Sequence, residues 1–330
     1  MSNTKAKVGF YGAVDAVTGS NFLFEAEGKR IMIDCGLYQG DLFADDRNRE
    51  DFAVNPASID VLLVTHAHID HIGRIPKFVR DGFHGVIYST PPTHELTEIM
   101  LLDTTRILQH EAVQTGREPI YTERDVRDTM ALWKTHEYYA PFAIGDGVQC
   151  EFKDAGHILG STMMFLTVSG TTMVFTGDLG NSPSPLLRDT DSIKGATYLL
   201  MESVYGDRNH ENRDERKEIL RKTILDSIAK GGVLMIPAFS IERTQELLFE
   251  LNDMVEHHNI PDVKIFLDSP MAIKATEVYR RSDKYFNQET QHIIKSGDDI
   301  FKFPRLYMTE SKEESMKIWE TKGPKIIMAG

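Results

Sequence analysis

Cysteine is scarce: Cys35 and Cys150 are the 2 in 330 residues, and neither sits in a Cys-x-x-Cys pair. That leaves no basis for a disulfide framework or a thiolate zinc site. There is no apolar run of the about 18 residues that a transmembrane helix needs. The start, MSNTKAKVGFYG, has lysines but neither an apolar core nor a small-residue cleavage site, so it is not a signal peptide. A cytoplasmic protein with no membrane partner is therefore the default expectation. Repeats, low-complexity runs and Pro/Gly/Ser-rich linkers are also missing. Basic residues are outnumbered, 37 Lys and Arg against 50 Asp and Glu, for a formal net charge of -13. Such a surface does not hold nucleic acid by loose charge attraction. It still permits a nuclease whose metal ions and a few local cations grip the phosphates. With 41% hydrophobic residues, the chain can build one large or two ordinary cored domains.

Short apolar runs at 7–11, 21–26 and 30–34, with Glu27-Gly28 as a turn, read as a β-hairpin system. Residues 59–65 (IDVLLVT) form a continuous apolar run, the sign of a strand covered on both faces. Residues 92–110 read as a helix with Leu96, Ile99, Met100, Ile107 and Leu108 toward the core. Thr122 is a cap candidate for a helix over 123–134. Strands are expected at 172–176 and 197–201. Beyond Tyr205 helix and strand alternate: helix 211–230 closed by Gly231-Gly232, strand 233–237, helix 241–257, strand 263–268, then another helix. This is the grammar of α/β crossovers, with a domain boundary expected near residue 205.

The chemistry concentrates in Thr65-His66-Ala67-His68-Ile69-Asp70-His71-Ile72-Gly73, directly after the buried strand. Imidazole nitrogens and carboxylate oxygens are the donors zinc favours. Packing His66, His68, Asp70 and His71 together without a cation would cost desolvation free energy at each group. Strand ends are also where layered α/β folds put ligand sites. The alternative, a surface loop that happens to be histidine-rich, explains one histidine better than it explains this run. Downstream, His157 (in Asp154-Ala155-Gly156-His157) can complete a three-histidine site with His66 and His68. Asp178 (in Thr176-Gly177-Asp178) can bridge to a second metal held by Asp70 and His71. Asp34, at a strand end, can lie beneath the cluster and orient its ligands.

With Asp34, the HxHxDH run, His157 and Asp178 in this order, residues 1–205 resemble the metallo-β-lactamase superfamily. Three later segments resemble the β-CASP nucleases of that superfamily: Leu200-Met201-Glu202-Ser203-Val204-Tyr205-Gly206-Asp207-Arg208, then Ile236-Pro237-Ala238-Phe239-Ser240-Ile241-Glu242-Arg243, then Phe266-Leu267-Asp268-Ser269-Pro270-Met271. The resemblance implies an α/β fold: an αββα metallo-β-lactamase sandwich over 1–205 with an inserted β-CASP α/β domain over 206–330. Substrate would enter the cleft between them. It also implies a zinc-dependent ribonuclease, endo- or 5′→3′ exonucleolytic, that cuts phosphodiesters in single-stranded RNA through a metal-bound hydroxide. Two Zn2+ sites are expected, with His66, His68, Asp70, His71, His157 and Asp178 as ligands. Asp70, Asp178 and Glu202 would be catalytic, and Ser240 and Arg243 substrate-binding.

Departures from the family pattern qualify this. The family usually has glutamate at the position of Asp15 and glycine at that of Glu242, whose charge beside Arg243 would weaken phosphate binding there. Lys325-Ile326-Ile327-Met328-Ala329-Gly330 resembles the strand before the family's Ser-Gly-Met segment, which implies a chain cut short at Gly330. The closing strands, the histidine that partners the Glu202 position and the last ligand of the second metal would then lie beyond it, so the second site would be incomplete and cleavage by this chain feeble. Two rival functions remain: a catalytically inactive RNA-binding or scaffold subunit, and a hydrolase of small esters or thioesters on the same fold. A homodimer is left open.

Overall fold

The computed structural model describes residues 6–40, 44–209 and 215–330. The chain divides into two compact units, residues 1–182 with 189–202, and residues 183–188 with 203–330. The first is built on two sheets. One runs β1 (Lys7–Gly12), β2 (Asn21–Ala26), β3 (Lys29–Ile33), β4 (Val61–Leu63), β5 (Val86–Ser89) and β6 (Trp133–Thr135), in that spatial order. The first three strands are antiparallel. Glu27 and Gly28 form the two-residue turn between β2 and β3, with φ of 49° and 73°. Positive φ at both turn positions matches the right-handed twist of the strands.

From β3 to β6 the strands are parallel, so each connection must cross over, and it does so through helices. These are α1 (Ala44–Arg49), then α2 (Ile69–Ile72) and α3 (Ile75–Arg80), then α4 (Pro91–Thr115) and α5 (Glu123–Met130). Leu62, Ile87 and Trp133 of the sheet share one core with Ile72, Phe78, Leu101 and Val126 of the helices.

The second sheet holds β7 (Phe142–Gly145), β8 (Val148–Asp154), β9 (Thr162–Val168), β10 (Thr171–Phe175) and β11 (Tyr198–Leu200), in the order β11-β10-β9-β8-β7. It faces the first: the rings of Phe22 and Phe24 lie 6.4 and 6.2 Å from that of Phe175.

Two expectations need correction. Helix α4 is capped by Thr90, whose hydroxyl accepts the Thr93 N–H, and it ends at Gly116 with φ 70°. Ile107 does not face its core but is 55% exposed, and Leu101 is buried instead. The helix expected over 123–134 starts with a capping box between Thr122 and Asp125 but stops at Met130. Trp133 pairs with Ile87 as an added strand, and its indole N–H donates to Ser89 Oγ at 2.8 Å. A ladder bond and a satisfied indole outweigh one more helical turn. Strands β7, β8 and β9 have no counterpart among the sequence expectations.

The second unit contains α6 (Arg216–Ala229), β12 (Val233–Pro237), α7 (Arg243–Glu256), β13 (Lys264–Leu267), α8 (Pro270–Arg280), α9 (Gln288–Lys295), β14 (Leu306–Met308), α10 (Lys312–Glu320) and β15 (Lys325–Ala329). Its four strands are all parallel, in the order β12-β15-β13-β14. Residues 211–214 of the helix expected at 211–230 lie outside the described residues. No helix among the described residues is long and apolar enough to cross a membrane.

Candidate metal centre

Parallel strands β3 and β4 end side by side, and the segments leaving their ends are bound into one frame. Asp34 N–H donates to the Leu63 carbonyl at 2.9 Å, and Asp34 Oδ1 accepts Thr65 N–H at 2.8 Å. The turn carrying Asp70 and His71 is tied down by three backbone bonds: Ser20 N–H to Asp70 O, Cys35 N–H to His71 O and Leu37 N–H to Ile69 O. Gly36 makes this approach possible, since a Cβ there would sit 1.5 Å from the Asp70 carbonyl oxygen.

His157 lies in the loop from β8 to β9, where Ser161 Oγ accepts its backbone N–H at 3.0 Å. Asp178 comes just after β10. Gly177 before it has φ 56°, and a Cβ there would come within 2.8 Å of Thr65 Cβ. Gly180 N–H closes the arrangement on the Ala155 carbonyl at 2.8 Å.

These elements bring the six predicted ligands together. His68 Nδ1 lies 3.1 Å from both His66 Nε2 and His157 Nε2. Asp178 Oδ2 stands 3.9 Å from His66 Nε2 and 3.7 Å from His157 Nε2. All four groups have ligand atoms within 4.8 Å of one another. The other oxygen of Asp178, Oδ1, turns the opposite way and lies 3.3 Å from His71 Nε2, which is 3.9 Å from Asp70 Oδ2. One carboxylate thus serves two neighbouring donor sets.

Asp34, 1% exposed, sets the tautomers. Its Oδ2 is 2.7 Å from His71 Nδ1 and 2.8 Å from Thr65 Oγ1. His71 donates from Nδ1 to this carboxylate, and its Nε2, which faces Asp178 Oδ1, is the nitrogen that would bind a metal once the proton there is displaced. Thr65, having donated its hydroxyl proton to Asp34, accepts from His66 Nδ1 at 3.0 Å, which bares His66 Nε2. Thr65 is a residue of this centre that the motif pattern does not mark. Its place between the strand end and the first histidine is the available signal.

The electrostatics suit ligation at the three-histidine set. Burial, reinforced by the neighbouring rings, pushes the His66 pKa well below that of ordinary histidine. Burial likewise takes His68 and His157 down to about 4. These three are neutral imidazoles at neutral pH. Burial also opposes charge on His71, but Asp34 and Asp178 together outweigh it and raise its pKa well above the usual value. Burial opposes charge on Asp178 too, yet its hydrogen bond with His71 and the nearby rings hold it at about 2. Burial raises Asp70.

A divalent metal fits this cluster. Donors placed tetrahedrally at zinc–nitrogen distances of about 2.0–2.1 Å lie roughly 3.3 Å apart, close to the separations seen. The rings of His66, His68 and His157 have centroids 4.9 Å apart and meet at 83°, 87° and 75°. Stacking does not explain three rings nearly perpendicular around one point. A cation among the four groups satisfies these nitrogens and the carboxylate oxygen together.

The profile of the Metallo-beta-lactamase superfamily matches residues 14–227, and that of the Beta-Casp domain matches residues 244–330. The chain belongs to the metallo-beta-lactamase superfamily. It is 36% identical over 324 residues to Ribonuclease TTHA0252 of Thermus thermophilus, covering 97% of this chain and 71% of that protein. It is 28% identical to Transcription termination factor FttA of Methanosarcina mazei, covering 96% of this chain and 50% of that protein. With Cleavage and polyadenylation specificity factor subunit 3-I of Arabidopsis thaliana the identity is 26%, over 96% of this chain and 45% of that protein. The chain therefore spans about half the length of the last two relatives. A crystal structure of a protein of unknown function from Enterococcus faecalis V583 shares the fold, with a TM-score of 0.54 at 11% identity over 99% of this chain and 77% of that one.

The other residues singled out in the sequence lie around this centre and in the second unit. Glu202 comes just after β11, and its Oε1 accepts the Leu179 N–H at 2.9 Å, so it grips the Asp178 loop. Ser240 is buried, with its hydroxyl 3.4 Å from that of Ser269. Arg243 opens α7 and donates to Glu246 Oε2 at 2.7 Å. Glu242 has φ 64° and ψ −61°, and Arg243 N–H donates to the Ile241 carbonyl at 2.9 Å across it. This is a strained γ-turn that suits glycine. Here Tyr279 O–H, donating to Glu242 Oε2 at 2.6 Å, holds the carboxylate in place.

Proposed function

We propose that this chain is the catalytic module of a zinc-dependent ribonuclease that hydrolyses phosphodiester bonds in single-stranded RNA. The convergence of His66, His68, His157 and Asp178 carries this reading, with 36% identity to a ribonuclease over nearly the whole chain behind it. Zinc is the favoured ion because the donors are imidazoles and carboxylates, in tetrahedral spacing. Zinc held by these residues would supply Lewis acidity toward water and phosphoryl oxygen.

The chain's residues divide the remaining work. His66, His68 and His157 present neutral nitrogens for one ion, and Asp70 and His71 present donors for a second. Asp178 stays ionised at neutral pH and offers one oxygen to each set. Asp34 fixes the protonated nitrogen of His71, and Glu202 fixes the Asp178 loop. Arg243, at the start of a 14-residue helix, is a candidate to hold a substrate phosphate. Residues 1–205 act as the metal-holding domain and 206–330 as the substrate-side domain. We also read the protein as cytoplasmic, which agrees with two buried free thiols, Cys35 and Cys150.

The test combines metal analysis with a cleavage assay. Chain purified without chelator should carry about one zinc or more, and should cut a labelled single-stranded RNA in a chelator-sensitive way. His68→Ala should lose both properties. A folded but metal-free wild type, or a zinc-loaded chain that spares RNA and hydrolyses a thioester, would overturn the proposal.

A further inference from the structure

Arg74, three residues after His71, is 6% exposed. Its Nε–H donates to the Gly36 carbonyl at 2.8 Å. Its guanidinium carbon lies 4.7 Å from the centre of the Tyr38 ring and 5.1 Å from that of Phe52. The neighbouring buried cation, Lys77, has Asp81 at 2.6 Å, but among the described residues no carboxylate pairs with Arg74. A guanidinium keeps its proton at any ordinary pH and carries five N–H donors. Buried with one hydrogen bond and two ring faces, it recovers only part of its lost hydration.

Arg74 lines a cavity of about 140 Å³, well above the roughly 10–15 Å³ that one water needs. Arg47 also lines it, with its guanidinium 3.7 Å from the centre of the same Tyr38 ring. Two cations thus share one tyrosine ring beside a half-open cavity. Glu50 and Asp51 line the cavity from exposed positions. In water their charges are screened, whereas that of Arg74 is not. The volume suits a small oxyanion and not a long polyanion.

We propose that this cavity is a binding site for a small phosphate, free or as the terminal group of a mononucleotide. The fork of Arg74 grips two oxygens and Arg47 supplies the second charge. The site is separate from the metal centre and does not need metal.

Isothermal titration of the full chain, stripped of metal by chelator, tests this with inorganic phosphate and with AMP as probes. Saturable phosphate binding is expected. Arg74→Lys, which keeps the charge but loses the fork, should weaken it by about tenfold or more, and Arg47→Gln by several-fold. If Arg74→Lys does not fold, Arg47→Gln decides alone, since that side chain is half-buried beside the cavity. AMP binding with the same sensitivity to the variants supports the site and assigns it to nucleotides. Phosphate binding with AMP excluded supports it and assigns it to the free ion. Absence of phosphate binding by the wild type, or wild-type affinity in the folded variants, overturns the proposal.

Discussion

Replacing Asp34 by asparagine separates the two donor sets. Asparagine tolerates the positive φ of 56° at this position, so the backbone is not strained by the change. Its amide oxygen can replace Oδ1 and still accept the Thr65 N–H. Its NH2 group then stands where Oδ2 was, 2.7 Å from His71 Nδ1. Two donors cannot face each other, so His71 must move its proton to Nε2 or rotate away. Either change leaves Nε2 unable to bind a metal on the Asp70–Asp178 side.

Loss of such an orienting partner typically weakens metal binding by about 10- to 100-fold. The His66–His68–His157–Asp178 set keeps its nitrogens, although Thr65 loses its charged acceptor. Zinc competition against a chromophoric chelator should therefore show one site weakened by that factor and the other nearly unchanged. Folding stability should drop by about 1–2 kcal/mol as hydrogen bonds to a charged acceptor become neutral ones. Equal weakening of both sites, or of neither, would refute the assignment of Asp34 to His71.

The same geometry sets three further outcomes. Gly177→Ala should cost about 1–3 kcal/mol more in urea unfolding than Gly170→Ala, because both have positive φ but only the first meets another side chain, at 2.8 Å; equal costs would mean that the Thr65 contact yields. In the metal-free chain, His68 and His157, with folded pKa values of about 4 against roughly 6.5 unfolded, contribute stability that is intact above pH 6.5 and lost on acidification. The loss should be on the order of 2 kcal/mol for each by about pH 5, and His71, shifted upward, acts in the opposite sense only above about pH 6.5; a flat profile between those pH values would contradict their burial as neutral rings. Tyr279→Phe should destabilise the chain by about 1.5–3 kcal/mol, by loss of the bond to the Glu242 carboxylate, and by much less in a Glu242→Gly background; a double-mutant cycle without coupling would show that the tyrosine does not restrain the γ-turn.

Legible in the residues alone were the donor types of the cluster and the order in which they arrive. The HxHxDH run is local, and four polar groups at a strand end have few fates other than a metal. Glu27-Gly28 and Thr122 mark their turn and cap through short-range backbone chemistry, which a few residues encode. Val148, Cys150 and Phe152 alternate buried with Gln149, Glu151 and Lys153 more exposed, so the period that marks β8 is present in the sequence even though the strand was not expected from it. Strand β6 has no such signal, since three residues after a helical pattern become a strand only because β5 offers an open edge.

What the tertiary structure alone decided is long-range. It turned the two oxygens of Asp178 toward different donor sets, made Thr65 the link between Asp34 and two histidines, and left Arg74 buried with no carboxylate paired to it among the described residues. Glu242 shows the same division. The sequence pattern marks it as an unusual residue for its position, and only the fold supplies the reason, a γ-turn with positive φ and a buried tyrosine that holds its side chain. Each of these depends on which strand ends meet, which is fixed by burial of the sheets' apolar faces and not by the residues next in line.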